Sequence, residues 1–291
     1  MNCDIRLPVA SESATYSVNM SVTLPTNASH HILCLPGILE TGAGFHALSV
    51  LSKQSCAMYA LDYSGRGESD YLPTNSDYRM SHCVREAFSA YNYLLGSLRT
   101  AESGKSHIHL IGNSTGGLIA ILLALHKPSY VRSIVINDVG YLLPWSSLMG
   151  LYGALGGTSF LPGIRSYSSD SRRLAQKLDV DTRLLSSVMR PDYLDIPHQK
   201  TLLGISLEEQ FLKIQIPVLI LHSSDSQLLP ESVIHRMRSL PENFSFLEVA
   251  GNTHPVSYTD PIISVVQKFI EDAETPQPEK NRSRSSFLSF A

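Results

Sequence analysis

Ser114 is the residue of this chain whose type and setting are best suited to covalent chemistry. Residues 112–116 read GNSTG and fit the pattern G-x-S-x-G. A short apolar run precedes the pattern at 108–111 and a long apolar run follows it, so a strand is predicted to turn directly into a helix at the serine. The start of that helix would present free N–H groups and positive potential to an anion forming beside the hydroxyl. The pattern therefore predicts a serine nucleophile that attacks an acyl carbon.

A serine hydroxyl needs a general base and a site for the oxyanion that its attack creates. His254 is the candidate base, because it alone among eleven histidines stands in a Gly-Asn-Thr-His turn between the predicted last strand and the terminal helix. The candidate oxyanion donors are the backbone N–H groups of Thr115, which follows the nucleophile, and Ile38, which lies in a turn at the carboxyl end of a strand. Asp225 and Asp138, each just after a predicted strand, are the candidates for an acid that orients the histidine.

Strands and helices are predicted to alternate along most of the chain. Strands are predicted at 5–9, 16–24, 31–35, 57–61, 108–111, 131–136, 216–221 and 244–249, and helices at 80–99, 231–239 and 261–272. The first two strands have antiparallel character, and the later alternation favours a parallel, doubly wound sheet with helices on both faces. This predicts an α/β fold with the site residues at the carboxyl edge of the sheet.

The alternation stops between residues 139 and 215. This segment is first rich in Leu, Tyr and Gly and then charged and helical, so we interpret 139–215 as a helical cap over the sheet edge, with a second independent domain as the alternative. Residues 1–138 and 216–273 are then the core. The Pro-, Ser- and Arg-rich segment 274–291 is predicted to be a disordered tail.

Composition excludes several classes of protein. With 291 residues, 43% of them hydrophobic, and a formal net charge of −3, the chain has no basic excess for nucleic acid, and it contains no apolar stretch long enough for a signal or a membrane span. A cytoplasmic location is expected. The cysteines, at positions 3, 34, 56 and 83, have no C-x-x-C spacing, so neither a zinc site nor disulfides are expected, and no cofactor motif is present. The oligomeric state stays open.

Further motifs resemble those of the α/β-hydrolase fold family over roughly residues 32–270. A cap-bearing set of bacterial serine hydrolases carries L-P-G, D-Y-x-G-R-G-x-S and N-D-V-G, which stand here at 35–37, 62–69 and 137–140. The resemblance implies an α/β-hydrolase fold with an inserted cap, and a catalytic triad in which Ser114, His254 and an aspartate cooperate. The turn at 62–69 is interpreted as structural support for the nucleophile loop.

The sequence departs from this set at the predicted acid. Where members tend to read S-D-L-L after the seventh strand, this chain reads SQLL at 226–229, with its aspartate displaced to Asp225. Because the fold most often places the acid after that strand, Asp225 is predicted to be the acid. Asp138, after the sixth strand, is the alternative.

The resemblance implies hydrolysis of an ester, lactone or thioester through an acyl-enzyme. The apolar first part of segment 139–215 favours a small-molecule substrate with an apolar acyl part. An acyltransferase and a serine-dependent lyase are alternatives on the same triad. A protein that binds its ligand without turning it over is the alternative of another class.

Overall fold

The structure is a computed structural model, and it describes most of the chain. The described residues are 2–10, 15–25, 28–54, 56–74, 76–100, 107–126, 129–154, 169–190, 192–251, 253–275 and 288–290. Part of the predicted cap (155–168), most of the predicted tail, and Asn252 of the histidine turn therefore lie outside the described residues.

A nine-stranded sheet forms the centre of the described structure. Its strands are β1 (Asn2–Ala10), β2 (Thr15–Thr23), β3 (His30–Leu35), β4 (Cys56–Leu61), β5 (Ile108–Asn113), β6 (Val131–Asn137), β10 (Val218–Ser223), β11 (Phe244–Val249) and β12 (Leu288–Phe290). Their order across the sheet is β1-β2-β4-β3-β5-β6-β10-β11-β12. β1, β2 and β4 pair antiparallel and the pairs from β4 to β12 are parallel. This arrangement confirms the predicted α/β fold with a mostly parallel sheet.

Helices cover both faces of the sheet. They are α1 (Met80–Thr100), α2 (Thr115–His126), α3 (Trp145–Ala154), α4 (Ser169–Leu178), α5 (Thr182–Val188), α6 (Glu208–Leu212), α7 (Glu231–Met237) and α8 (Asp260–Glu274), with a 3₁₀ helix at Gly42–Gln54. Side chains alternate along β5, so that Leu110 packs into the core layer with α1 and α2, and Ile111 packs into the layer with α8 and the 3₁₀ helix. Burial on both faces explains why the central strands are apolar throughout.

The strand order decides which loops can meet. β5 lies between β3 and β6, and because the three strands are parallel, their carboxyl ends share one edge of the sheet. The loop after β3, the nucleophile turn after β5 and the residues after β6 therefore lie side by side. This is the edge at which ligands of open α/β sheets bind.

The structure differs from the sequence prediction in three elements. The 3₁₀ helix was not predicted, and segment 139–215 contains a small antiparallel sheet of β7 (Leu142–Pro144), β8 (Gln199–Lys200) and β9 (Gly204–Ser206) beside its helices. Within the predicted tail 274–291, Leu288–Phe290 is not disordered but pairs with the edge strand β11. Among the described helices, none combines the length and apolar character needed to cross a membrane.

Candidate active site

Ser114 stands in a strained turn between β5 and α2. Its φ of 49° lies in the left-handed region, which a non-glycine residue adopts at an energetic cost, and such strain occurs frequently at functional sites. The turn is held by the Ser114 N–H, which donates to the carbonyl of Asn137 on the neighbouring strand at 2.8 Å. A Cβ on Gly116 would lie 2.0 Å from the carbonyl oxygen of Leu35, so a glycine is required where the start of α2 passes the end of β3.

His254 lies between Ser114 and a carboxylate. Its Nε2 is 2.9 Å from Ser114 Oγ, and its Nδ1 is 2.8 Å from Asp138 Oδ2. With the ring proton on Nδ1, the imidazole donates to the carboxylate and accepts from the serine hydroxyl. This is the geometry that a general base needs in order to remove the serine proton.

The aspartate beside His254 is Asp138, not the predicted Asp225. Asp225 is exposed, and its backbone N–H donates to the carbonyl of Gly251 at 2.9 Å. Asp138 comes directly after β6, which is the immediate neighbour of the nucleophile strand, and it has a φ of 58°. The left-handed turn at the end of β6 places this carboxylate within reach of the histidine. The structure therefore corrects the position of the acid.

The turn after β10, where the acid was predicted, instead donates hydrogen bonds to Asp138. Ser226 Oγ donates to Oδ2 at 2.8 Å, and the N–H of Ser223 donates to Oδ1 at 3.2 Å. The Asp138 side chain is fully buried, and burial alone would raise its pKa. The nearby His222 together with the hydrogen bonds from His254, Ser226 and Ser223 outweighs burial and lowers the pKa of Asp138 to about 2. The carboxylate is therefore ionised at neutral pH, and its negative charge lies beside His254 Nδ1.

Asn137 is a site residue that the sequence analysis missed. Its side-chain amide forms two hydrogen bonds with the backbone of Val256, from Nδ2 to the carbonyl at 2.9 Å and from the Val256 N–H to Oδ1 at 2.8 Å. These bonds fasten the loop that carries His254 to the end of β6. The buried asparagine immediately before Asp138 was the available signal, but its partner is 119 residues away in the chain, and sequence spacing does not reveal such a contact.

The two predicted oxyanion donors lie on elements next to Ser114. Thr115 is the first residue of α2, so its N–H has no acceptor within the helix. The loop that carries Ile38 approaches the serine so closely that a Cβ on Gly37 would lie 3.3 Å from the Ser114 Cβ. The loop is braced by Glu40, whose carboxylate accepts from the N–H of Gly37 at 2.9 Å and from Asn113 Nδ2 at 3.1 Å. This arrangement supports both predicted donors, whose roles remain predictions.

Comparisons with known proteins agree with this architecture. A family model described as alpha/beta hydrolase fold matches residues 30–156. An α/β hydrolase from Novosphingobium aromaticivorans superposes with a TM-score of 0.66 at 19% identity, over 93% of this chain and 98% of that chain. The chain therefore has the α/β-hydrolase fold.

Two curated relatives are more similar to this chain in sequence. The 3-hydroxybutyrate-oligomer hydrolase of Cupriavidus necator is 24% identical over 269 residues, which span 83% of this chain and 88% of that protein. The mouse protein named Serine hydrolase BPHL is 28% identical over 213 residues, which span 69% of this chain and 65% of that protein. Both relatives carry names of hydrolases.

Arg66, in the turn after β4, donates hydrogen bonds to the loop that carries Ile38, one of the predicted oxyanion donors. Its Nε and Nη2 donate to the carbonyl of Ile38 at 3.0 and 2.7 Å, and its Nη1 donates to the carbonyl of Ser64 at 2.9 Å. The side chain is only 1% exposed. Glu86, also buried, accepts from the N–H of Ser64 at 2.9 Å. These contacts agree with the interpretation of turn 62–69 as structural. They also show that the arginine of this turn supports the Ile38 loop.

Segment 139–215 contacts two turns at the carboxyl edge of the sheet. In the turn after β4, the N–H of Gly67 donates to the carbonyl of Asp179 at 2.9 Å, and the carbonyl of Gly65 accepts from Asp181 at 2.7 Å. In the turn after β10, Gln227 accepts a hydrogen bond from Ser147 Oγ of α3 at 2.6 Å. The segment is thus attached at both sides of the edge on which Ser114 lies.

Proposed function

We propose that the protein is a serine hydrolase that cleaves an ester-type bond of a substrate with an apolar acyl part. The observation that carries the proposal is the continuous contact from Ser114 Oγ through His254 to the buried carboxylate of Asp138, at 2.9 and 2.8 Å. The names of both relatives support hydrolysis over acyl transfer or a lyase reaction, which the fold alone does not distinguish.

The geometry supports a two-step reaction. His254 Nε2 takes the hydroxyl proton while Ser114 Oγ attacks the carbonyl carbon, and the negative oxygen of the tetrahedral intermediate is held by the N–H groups of Thr115 and Ile38. The C–O bond to the leaving group breaks and His254 returns the proton to that oxygen. Water, activated by the same histidine, then attacks the acyl-enzyme and releases the acid together with the free Ser114. Asp138 stabilises the imidazolium in both steps.

The substrate class is inferred from segment 139–215, which we propose is a cap. Its α3 begins at Trp145, which is 40% exposed, and two further apolar side chains of the segment are exposed, Met149 at 45% and Leu203 at 50%. The same helix bonds through Ser147 to the turn that carries Ser226, a partner of Asp138. An apolar surface beside the site suits an aliphatic or aromatic acyl group better than a sugar or nucleotide. The oligomeric hydroxyalkanoate named for the Cupriavidus relative is an ester of this kind.

The proposal is tested with a fluorophosphonate probe and a panel of esters, lactones and thioesters that differ in acyl length. We expect the probe to label Ser114, as located by peptide mass spectrometry, and Ser114→Ala to lose both labelling and at least about 10³-fold in turnover while it stays folded. Ser232→Ala, which changes an exposed serine of α7, is the matched control and should keep both. Labelling of another residue, or turnover of Ser114→Ala within tenfold of the parent, would contradict the serine mechanism.

Absence of both labelling and turnover on the whole panel would instead indicate a protein that binds its ligand without hydrolysis. Turnover that requires an added alcohol or amine acceptor would indicate an acyltransferase.

A further inference from the structure

A second group of polar side chains lies at the opposite end of β5 from Ser114. His109 is the second residue of β5 and His30 is the first residue of the adjacent β3, while Glu274 is the last residue of α8. Ser114 follows the carboxyl end of β5, so the group is separated from the triad by about 15 Å of strand. The mechanism proposed above uses none of these residues.

The ligand-type atoms of the three side chains converge on one point. His109 Nε2 is 3.1 Å from Glu274 Oε1, His30 Nδ1 is 4.0 Å from the same oxygen, and all three atoms lie within 4.8 Å of one another. Tetrahedral zinc with bonds of about 2.0–2.2 Å separates its ligand atoms by roughly 3.3–3.6 Å. Small rotations of His30, whose side chain is 24% exposed, would complete that spacing.

The two buried atoms of the group lack hydrogen bonds. His109 is 1% exposed, yet its Nε2 has no hydrogen-bond partner, and neither has Glu274 Oε1. The two atoms lie 3.1 Å apart without forming a hydrogen bond to each other. Buried polar atoms without partners are costly, and a cation bound between a nitrogen lone pair and a carboxylate oxygen would satisfy both.

Neighbouring side chains hold His109 and Glu274 in a fixed orientation. His109 Nδ1 is 2.8 Å from Ser133 Oγ, and Glu274 Oε2 is 3.0 Å from His107 Nδ1, so each ligand has a second contact that fixes its orientation.

We propose that His30, His109 and Glu274 form a binding site for Zn²⁺, with a fourth position open to water. Two imidazole nitrogens and one carboxylate oxygen favour zinc over Mg²⁺ or Ca²⁺, which prefer ligand sets made of oxygen. The ion would join the end of α8 to the amino ends of β3 and β5. His30 and His109 are 79 residues apart in the sequence, and His109 and Glu274 are 165 residues apart, so local spacing does not reveal this site.

A second cluster with ligand-type atoms is less suitable. His222, Glu231 and Glu248 also come within 4.8 Å of one another, but both glutamates are exposed and His222 lies 3.7 Å from Asp138 of the triad. The experiment must therefore distinguish the two clusters.

The test is calorimetric titration of the EDTA-stripped full-length protein with ZnCl₂, with metal content after dialysis measured by mass spectrometry. We expect one Zn²⁺ per chain, and a loss of at least about tenfold in affinity for His30→Ala and for Glu274→Gln. His235→Ala removes an exposed histidine of α7 and should bind as the parent does. Zinc should raise the Tm of the parent but not that of Glu274→Gln.

Equal zinc affinity in the parent and His30→Ala would overturn the proposal, as would binding that is lost in Glu231→Ala instead. Because His30 is partly exposed, its variant should fold even if Glu274→Gln does not. Replacement of zinc by Co²⁺ gives a spectroscopic check, since tetrahedral nitrogen and oxygen ligation produces strong visible absorption that His30→Ala should lack.

Discussion

Arg66 positions a backbone group without contacting the reacting atoms. Its guanidinium places two donors on the carbonyl of Ile38 and a third on that of Ser64. The planar fork of an arginine can hold one carbonyl with two nitrogens, whereas a lysine offers only a point charge. The Ile38 loop is therefore expected to depend on this arginine for the placement of its N–H.

We expect Arg66→Lys to reduce kcat by about tenfold or more with little change in KM, because a misplaced oxyanion donor weakens binding of the transition state and not of the substrate. Steady-state kinetics on the best ester of the panel measures this. Arg183→Lys is the matched control, since Arg183 also holds backbone carbonyls, those of Leu72 and Pro73, in another part of the protein. An equal loss of kcat in both variants would mean that Arg66 acts only through general stability.

The sequence predicted the proximity of Ser114 and His254 in the site correctly, but not the position of the acid. Ser114 and His254, which were paired from their local patterns, lie 2.9 Å apart, because each stands in a turn whose sequence is distinctive. The acid was misplaced because an aspartate needs only to reach the ring nitrogen of the histidine, and loops after either β6 or β10 have that reach. Gln227 in place of the expected aspartate was the signal in favour of Asp138.

The side chain of Asn137 joins the end of β6 to the loop before α8, which carries His254. The side-chain amide of Asn137 forms hydrogen bonds with both the N–H and the carbonyl of Val256. The backbone carbonyl of Asn137 accepts a hydrogen bond from the Ser114 N–H. The end of β6 thereby fixes the distance between the nucleophile turn and the histidine loop. A change at this point should affect the geometry of the site more than a similar change elsewhere.

We expect Asn137→Ala to lower the free energy of unfolding by about 1–3 kcal/mol, because it leaves buried backbone groups of Val256 unpaired. It should also lower kcat by tenfold or more. Asn243→Ala removes an amide that donates to the carbonyls of Ile214 and Ile216, at 3.1 and 2.7 Å, and should lose similar stability with kcat nearly unchanged. Urea unfolding and kinetics on both variants measure the two effects. If kcat falls equally in both, Asn137 has no special role in the site.

The buried central strands were predictable, whereas the 3₁₀ helix and the small sheet were not. Strands such as β5 and β10 are buried and largely apolar, so their positions in the sequence prediction differ from the structure by at most two residues at each end. The 3₁₀ helix Gly42–Gln54 and the strands of the small sheet have no comparable periodicity. They depend on packing against distant segments, which local sequence does not encode.

For the protein as a whole, the buried carboxylate of Asp138 links stability to pH. Its pKa is about 2 when folded and about 4 when unfolded. A lowered pKa stabilises the folded state at pH values above the unfolded pKa, and this contribution is lost as the pH falls through the folded pKa. Asp138 should therefore make the protein less stable in acid.

We expect the parent to lose about 1 kcal/mol more stability than Asp138→Asn between pH 6 and pH 3, because asparagine has no proton to gain. Urea unfolding at the two pH values gives the difference. Asp225→Asn changes an exposed carboxylate and should follow the parent. If Asp138→Asn and the parent showed the same pH dependence, the pKa of Asp138 would not be lowered by folding.

The most direct test of the proposed triad compares kcat for Asp138→Asn and Asp225→Asn at neutral pH, on the ester that the parent hydrolyses fastest. Asparagine keeps the size and polarity of aspartate but cannot stabilise the imidazolium of His254. We predict a loss of about 10³- to 10⁴-fold for Asp138→Asn and a loss of less than tenfold for Asp225→Asn, in variants that are both folded. Near-parental turnover of Asp138→Asn beside an inactive Asp225→Asn would contradict the account.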